Sequence, residues 1–346
     1  YPLNKLLNMK SLIIALLILL NSTLGFTCTT FVLKNDSSLI FGRNLDWVSD
    51  NGILVVNKRN VAKKSLVFSP EKPTNWTSKF GSVTFNQFGK EFPFGGINEK
   101  GLVVEIMVVR GEYPEFDDRT ALNELQWVQY QLDNSKTIED VIASDERIRI
   151  SAVDQNLHFL ICDSSGSAAV IEFSKNEMKV YKGNDLPIPA LENEPYLTSL
   201  EKSRKNQSCR FRTVSRKLKE YNLTSNDSAV DYSFQILDKV ALDGSWSIVY
   251  DIKNMEIQFK TASNKSLRRI RVNDFSFSCN QNSLIYDLKR KDEGHINSYF
   301  INFSSDLNKL KFMDGIKTNN IKLPKEILVL FQEYFSKCIC INDSNK

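Results

Sequence analysis

The stretch Cys28-Thr29-Thr30-Phe31-Val32-Leu33-Lys34, then Asn35-Asp36-Ser37-Ser38, then Leu39-Ile40-Phe41-Gly42-Arg43-Asn44-Leu45-Asp46 reads as strand, turn and return strand. β-Branched and aromatic residues fill both arms, and the Asn-Asp-Ser-Ser cluster is a turn signal. Such a hairpin carries Arg43 and Asp46 back towards Cys28. It also follows directly on a hydrophobic run, so cleavage just ahead of Cys28 makes that cysteine N-terminal. An N-terminal cysteine holds a thiol and a free α-amine on one carbon. With a reference pKa of about 7.7–8.0, the amine can accept the thiol proton near neutral pH, and no histidine is needed. The ordinary alternatives for a cysteine here are a disulfide half or a lipid attachment point.

The hydrophobic run is Met9-Lys10-Ser11-Leu12-Ile13-Ile14-Ala15-Leu16-Leu17-Ile18-Leu19-Leu20, followed by Asn21-Ser22-Thr23-Leu24-Gly25. A start residue, a lysine, an apolar core and small or polar residues form the tripartite pattern of a secretory signal. The core is short for a membrane span. The expectation is a signal or propeptide over 1–27, with Tyr1–Asn8 an extension ahead of the Met9 start, and a secreted or periplasmic product. An uncleaved membrane anchor is the competing reading. Cleavage after Gly25 leaves Phe26-Thr27 to be trimmed, whereas cleavage after Thr27 exposes Cys28 directly. Gly25-Phe26-Thr27 lacks the residue order of a lipoprotein signal.

The remaining chain has ordinary apolar and charged fractions and a net charge of +4. It is long enough for one large core, and no linker, repeat or low-complexity tract divides it. No basic stripe with interleaved aromatics suggests nucleic acid. The six cysteines, Cys28, Cys162, Cys209, Cys279, Cys338 and Cys340, form no dense framework and no zinc spacing. Cys338 and Cys340 read as a surface feature or a redox-labile pair. Sequons at Asn75, Asn206, Asn222, Asn264 and Asn302 matter only in a eukaryotic secretory route.

Further strands are expected at 53–58, 64–68, 80–86 and 102–109, the last nearly continuous apolar, as in a strand buried on both faces. Helical spacing runs from Arg119 to Leu132, and Thr137 with Asp140 starts a second helix. Strands return at 157–162, 168–173 and 177–182, around the hairpin loop Asp163–Ser167. Helical blocks cover 196–220 and 229–241, and strands lie at 247–252 and 256–261. This β, α, β, α, β order fits two stacked sheets with helices outside better than alternating βαβ units.

Four short stretches, in this order, resemble the choloylglycine hydrolase and penicillin V acylase family of N-terminal-nucleophile hydrolases. They are Cys28-Thr29-Thr30-Phe31 with Phe41-Gly42-Arg43-Asn44-Leu45-Asp46-Trp47, then Gly96-Ile97-Asn98-Glu99-Lys100-Gly101-Leu102, then Leu191-Glu192-Asn193-Glu194-Pro195, then Cys209-Arg210-Phe211. Trp246-Ser247-Ile248-Val249-Tyr250-Asp251 supports them, and Ala121-Leu122-Asn123-Glu124-Leu125-Gln126-Trp127 resembles the secreted bacterial branch. Acid-ceramidase-like amidases share a comparable opening, but the Asn98–Leu102 turn favours the acylases.

The resemblance spans about 28–290 and implies an α+β fold, a four-layer αββα sandwich of two mainly antiparallel sheets. It leaves 291–346 as an unassigned C-terminal extension, packed on the same domain, with a helix starting at Leu323-Pro324-Lys325. It implies Cys28 as nucleophile, Arg43 beside the thiol, Asp46 holding the α-amine, Asn193 donating to the oxyanion and Arg210 completing the network. It implies no metal or organic cofactor, a small-molecule N-acyl amide substrate, no nucleic-acid partner, no stable membrane insertion after signal removal, and a homo-oligomer, since family members form tetramers.

Each residue also has a plain reading. Arg43 and Asp46 apart from Cys28 form a surface ion pair, and Asn193 before Pro195 is a turn residue. Arg210 lies in a charged helix face, and Asn98 and Gly101 shape a tight turn. The sequence also departs from the family. Where relatives place an asparagine, tyrosine or tryptophan, counting from Asn98 reaches Val108, which would give the substrate site an aliphatic wall. The segment 183–195 is short and proline-rich.

The resulting expectation is a secreted hydrolase of linear amides that forms an S-acyl enzyme. Its substrates would be conjugated bile acids, penicillin V, N-acyl homoserine lactones or N-acyl amino acids. The rivals are a catalytically silent secreted binding protein of the same fold and an acid-ceramidase-like N-acylethanolamine amidase. A papain-like protease lacks a convincing base, because His158 falls in an apparently buried strand and His295 in a charged loop.

Overall fold

The computed structural model describes residues 28–151, 156–175, 177–224, 228–241, 246–322 and 324–341. The signal-like run and both candidate cleavage points lie outside the described residues. The opening hairpin forms as read. Thr29–Lys34 pairs antiparallel with Leu39–Leu45, setting Thr30 opposite Arg43 and Thr29 opposite Asn44. The Asn35 carboxamide oxygen closes the turn by accepting the Ser37 and Ser38 backbone N–H groups.

This hairpin sits inside a seven-stranded sheet. Its order is Ala190–Glu192, Thr29–Lys34, Leu39–Leu45, Trp246–Asp251, Glu256–Thr261, Asn264–Arg271 and Gly294–His295. A nine-stranded sheet faces it, in the order Glu177–Lys182, Ala168–Ser174, Leu157–Cys162, Val103–Val108, Pro93–Asn98, Ser82–Asn86, Ile53–Asn57, Leu284–Asp287 and Ile301–Asn302. Both large sheets therefore take edge strands from beyond residue 290.

The two sheets meet through aromatic side chains. Phe85 of the larger sheet packs against Trp246, Tyr250 and Phe259 of the smaller one, with ring centroids 5.9, 6.3 and 5.5 Å apart. The helices Tyr196–Arg204, Arg210–Thr224 and Ala229–Val240 cover the seven-stranded sheet, and Glu124–Asn134 covers the nine-stranded one. The architecture is a four-layer αββα sandwich of the α+β class, with the apolar core between the sheets.

Local boundaries shift for identifiable reasons. The first helix begins at Glu124, not Arg119. Asn123 caps it by accepting the Gln126 N–H, while Thr120–Leu122 forms a short strand parallel to Ile148–Ile150. The strand expected at 64–68 is Val61–Lys64. Ser65 and Leu66 leave it to bond the Ala121 carbonyl and the Gln126 side chain. The block 196–220 divides where Asn206 takes a positive φ of 58°. Thr137 and Asp140 make the expected capping box.

The C-terminal segment adds the helices Ser305–Thr318 and Lys325–Glu333 and a short strand, Ile339–Cys340, paired with Val61–Lys64. Cys338 and Cys340 do not pair with each other. Cys340 is joined to Cys279, and Cys338 is free. Cys338 ends the 3-10 turn Tyr334–Lys337, while the strand Ile339–Cys340 brings the Cys340 Cα to 5.6 Å from that of Cys279, within disulfide reach. A link across 61 residues of chain restricts the unfolded state, an effect of about 4 kcal/mol in the chain-entropy model. Replacing both Cys279 and Cys340 by Ser should lower unfolding free energy by about 2–4 kcal/mol, read as an earlier denaturant midpoint. An unchanged midpoint would show that the link constrains nothing.

Candidate active site

Cys28 stands at the mouth of the strand Thr29–Lys34, one residue before its first paired position. Thr29 faces Asn44 on one neighbour and Glu192 on the other. Continuing that antiparallel register by one step sets Cys28 between Leu45-Asp46 and Asn193. The cysteine is free and only 2% exposed. Burial pushes the thiol pKa up, and this is the largest effect. The Arg43 charge and a hydrogen bond from the Asp46 backbone pull it down, the Asp46 charge pushes it up, and Arg210 pulls it down again. The balance is upward, so the resting group is a thiol.

Arg43 is completely buried on the strand Leu39–Leu45. Its guanidinium donates from Nη1 to the Phe94 carbonyl at 3.2 Å and from Nη2 to the Ile106 carbonyl at 3.1 Å. Nη1 also forms an ion pair with Glu105, which is equally buried. Desolvation disfavours the cation, but interactions with Glu105, Cys28 and Tyr250 outweigh it and hold Arg43 protonated. The plain reading of Arg43 and Asp46 as a surface ion pair therefore fails, because both are buried. The ionic partner of Arg43 is Glu105.

Asp46 instead faces Arg210, with Oδ2 3.6 Å from Nη1. Arg210 opens the helix Arg210–Thr224, where its charge meets the positive end of the helix dipole. Acceptors offset this: Thr29 Oγ1 at 3.0 Å and the Asn193 carboxamide oxygen at 3.3 Å. Held in this way, Asn193 turns its Nδ2 to the Val108 carbonyl at 2.8 Å. Five of the expected residues, Cys28, Arg43, Asp46, Asn193 and Arg210, thus form one contiguous network. Val108 joins it through its backbone carbonyl.

Three further residues belong to this network and were not expected. Glu105 and Tyr250 flank Arg43 from behind, with the Tyr250 hydroxyl donating to Glu105 Oε1 at 2.5 Å. Glu192 accepts from Ser199 Oγ at 3.1 Å and from the Phe211 N–H at 3.2 Å, tying two helices to the strand beside Cys28. Glu105 left a trace in the sequence, as the one charged residue inside Leu102–Val109. Glu192 left none beyond its place in the Asn193 stretch.

Asn98 and Gly101 shape a turn, as their plain reading holds. The Asn98 side chain bonds the N–H groups of Lys100 and Leu102 and the carbonyls of Leu132 and Ser135. Gly101 takes a φ of +80° there, which a side chain would strain. His158 is buried and bonded to Glu172, and His295 lies on the opposite edge of the seven-stranded sheet from Ala190–Glu192. Among the described residues, no group of three or more His, Cys, Asp or Glu is arranged to hold a metal ion. No helix among them is long and apolar enough to cross a membrane.

The family model of linear amide C–N hydrolases, choloylglycine hydrolase family, matches residues 28–207, beginning at the cysteine itself. The chain belongs to this family. A penicillin V acylase from Pectobacterium atrosepticum is 27% identical over an alignment of 189 residues that covers 49% of this chain and 50% of that protein. The chain thus matches about half the length of this relative. Among solved structures, penicillin V acylase from Agrobacterium tumefaciens superposes with a TM-score of 0.69 at 21% identity, covering 80% of this chain and 98% of that one. A mutant of conjugated bile acid hydrolase from Clostridium perfringens gives a TM-score of 0.62 at 18% identity, covering 78% and 100%. These two structural likenesses establish the shared fold.

The Glu192 bridge gives a test of how this family site is assembled. Glu192→Ala leaves the Phe211 N–H and the Ser199 hydroxyl without their acceptor. It should destabilise the fold by about 1–3 kcal/mol, measured by denaturant titration. A wild-type midpoint would show that Glu192 does not anchor the helices.

Proposed function

We propose that this protein hydrolyses linear amides through Cys28, acting on compounds with a hydrophobic acyl group and a small polar amine. The observation that carries the reading is the convergence on one buried thiol of Arg43 and Asp46 from one neighbouring segment, Asn193 from the other and Arg210 from a helix start. Because burial keeps the resting sulfur protonated, a base must take its proton. His158 is engaged with Glu172 inside the sheet, which leaves the α-amine of a mature Cys28 as the base.

In this mechanism the α-amine accepts the thiol proton and the sulfur attacks the amide carbonyl carbon. The carbonyl electron pair moves to oxygen, giving a tetrahedral oxyanion. Asn193 Nδ2 spends one N–H on Val108 and offers its second to that oxygen. Collapse expels the amine, which takes the proton from the α-ammonium, and leaves an S-acyl enzyme. Water, deprotonated by the same amine, then releases the carboxylic acid and restores the thiol.

Trp47 follows Asp46 directly and packs edge-on against Phe94, with centroids 5.9 Å apart. Phe94 in turn carries the carbonyl that holds Arg43, and Phe88 packs on it at 5.8 Å. Aromatic rings therefore cluster beside the carbonyl that anchors Arg43 and the residue after Asp46, where the expected wall at Val108 was aliphatic only. This favours an aryl-bearing acyl group, as in penicillin V, over the other candidates, and agrees with the acylase relative. Export before maturation is part of the proposal, because the signal-like run ends just ahead of Cys28.

The purified mature protein should hydrolyse penicillin V faster than a bile-salt conjugate, an N-acyl homoserine lactone or an N-acyl amino acid. Its intact mass should begin at Cys28. Absence of turnover on all four amides by protein that does begin at Cys28 would favour a silent binding protein. Arg43→Ala and Asp46→Asn should each slow acylation by about a hundredfold or more, measured by pre-steady-state kinetics on a chromogenic amide. Wild-type acylation in both variants would make the pair structural only.

A further inference from the structure

We infer that Glu105 is a positioning residue for the nucleophile: it fixes the Arg43 guanidinium beside Cys28 and balances its charge there, so that Glu105 sets how readily the thiol ionises. The inference rests on the Cys28 reading above and adds a residue to it.

The structure has been cut to fit this carboxylate. Glu105 lies on Val103–Val108 and points into the seam between the sheets, with no exposure. Its register partner on the adjacent strand is Gly95, where an added Cβ would lie 2.0 Å from Glu105 Oε2. Any side chain at that position would occupy the carboxylate's place. From the facing sheet, Arg43 takes Oε2 and Tyr250 donates to Oε1. Each oxygen therefore has a dedicated donor.

The plain alternative is an ion pair that staples two sheets. Buried ion pairs are poor staples, since desolvation offsets most of the attraction and an apolar pair of similar volume serves as well. Arg43 also has the Phe94 and Ile106 carbonyls, which give each terminal nitrogen one acceptor without Glu105. What the carboxylate adds is a negative charge on the far side of a guanidinium whose near side meets the thiol.

The signs follow from the groups facing each member. Glu105 faces Arg43 and Tyr250, Arg43 faces Glu105, Tyr250 and Cys28, and Cys28 faces Arg43, Asp46 and Arg210. Ionised Glu105 cancels part of the Arg43 charge and leaves the thiol less acidic. Neutral Glu105 frees that charge to stabilise the thiolate. Burial raises the Glu105 carboxyl to about 7, against the pull of Arg43 and the Tyr250 hydrogen bond, so both forms are accessible near neutrality.

The experiment follows iodoacetamide labelling of Cys28 in purified mature protein across about pH 5–10, with peptide mass mapping to separate Cys28 from the other free thiols. Steady-state amide hydrolysis and thermal melts run alongside. Glu105→Gln keeps the shape and removes the charge. It should shift the labelling midpoint to lower pH by about one unit and lower kcat with little change in KM. Tyr250→Phe removes a donor that favours ionised Glu105 and should shift the midpoint the same way, by less. An unmoved midpoint in a folded Glu105→Gln protein overturns the inference. If that variant does not fold, an unmoved midpoint in Tyr250→Phe overturns it instead. Wild-type protein that still hydrolyses amide after Cys28 is labelled would overturn the Cys28 reading itself, and Glu105 would then position nothing catalytic.

Discussion

A guanidinium with no contact to water stands between two β-sheets, and the rest of the site is arranged around that fact. Taking such a cation out of water costs several kcal/mol unless its donors are matched. Arg43 finds its acceptors on the opposite sheet, at Phe94, Glu105 and Ile106. The sheets are thereby keyed to each other at one point. The hairpin is keyed as well, because a slip of one residue would turn Arg43 out of the seam and strand it on the helix-covered face. Thr30 opposite Arg43 is the register in which Cys28 ends beside it.

The remaining polar groups approach from the helical layer over the same sheet. Arg210 sits where a helix dipole disfavours a cation, and it stays because Asp46, Thr29 and Asn193 surround it. Its hydrogen bond fixes which end of the Asn193 amide faces Val108. A helix start, two strand ends and a loop thus meet at one sulfur, although they are far apart along the chain. Membership of the choloylglycine hydrolase family and the likeness to penicillin V acylase structures fit this assembly.

Much of this was readable from the residues. The β-branched and aromatic content and the turn chemistry of 28–46 pointed to the hairpin, and the order of strands and helices to stacked sheets with outer helices. Cys28, Arg43, Asp46, Asn193 and Arg210 could be named because short stretches around them resemble a family. Glu105 and Tyr250 were not named: Glu105 stood out only as a lone charge in an apolar run, Tyr250 lay in a supporting stretch, and their partnership exists only across the seam. A sequence carries the period of a strand but not which opposing strand will meet it. The Cys279–Cys340 link was hidden for the same reason, with the two thiols brought together by an added strand rather than by spacing. Helix starts moved where a capping side chain such as Asn123 acted more locally than the apolar period.

The disulfide has a consequence for how the molecule matures. In the folded chain Cys279 and Cys340 are joined while Cys28 stays a free thiol. Thiol–disulfide exchange needs a thiolate with access to its target. Cys28 is almost wholly buried and held as a thiol, so in the folded core its exchange near neutral pH is slowed. The C-terminal strand that carries Cys340 docks on the outside of the finished sandwich. Closing the sheets before oxidation would sort the sulfurs by burial and leave Cys28 outside any disulfide. Oxidation before closure would remove that protection, so the order of folding and oxidation would decide which sulfurs pair.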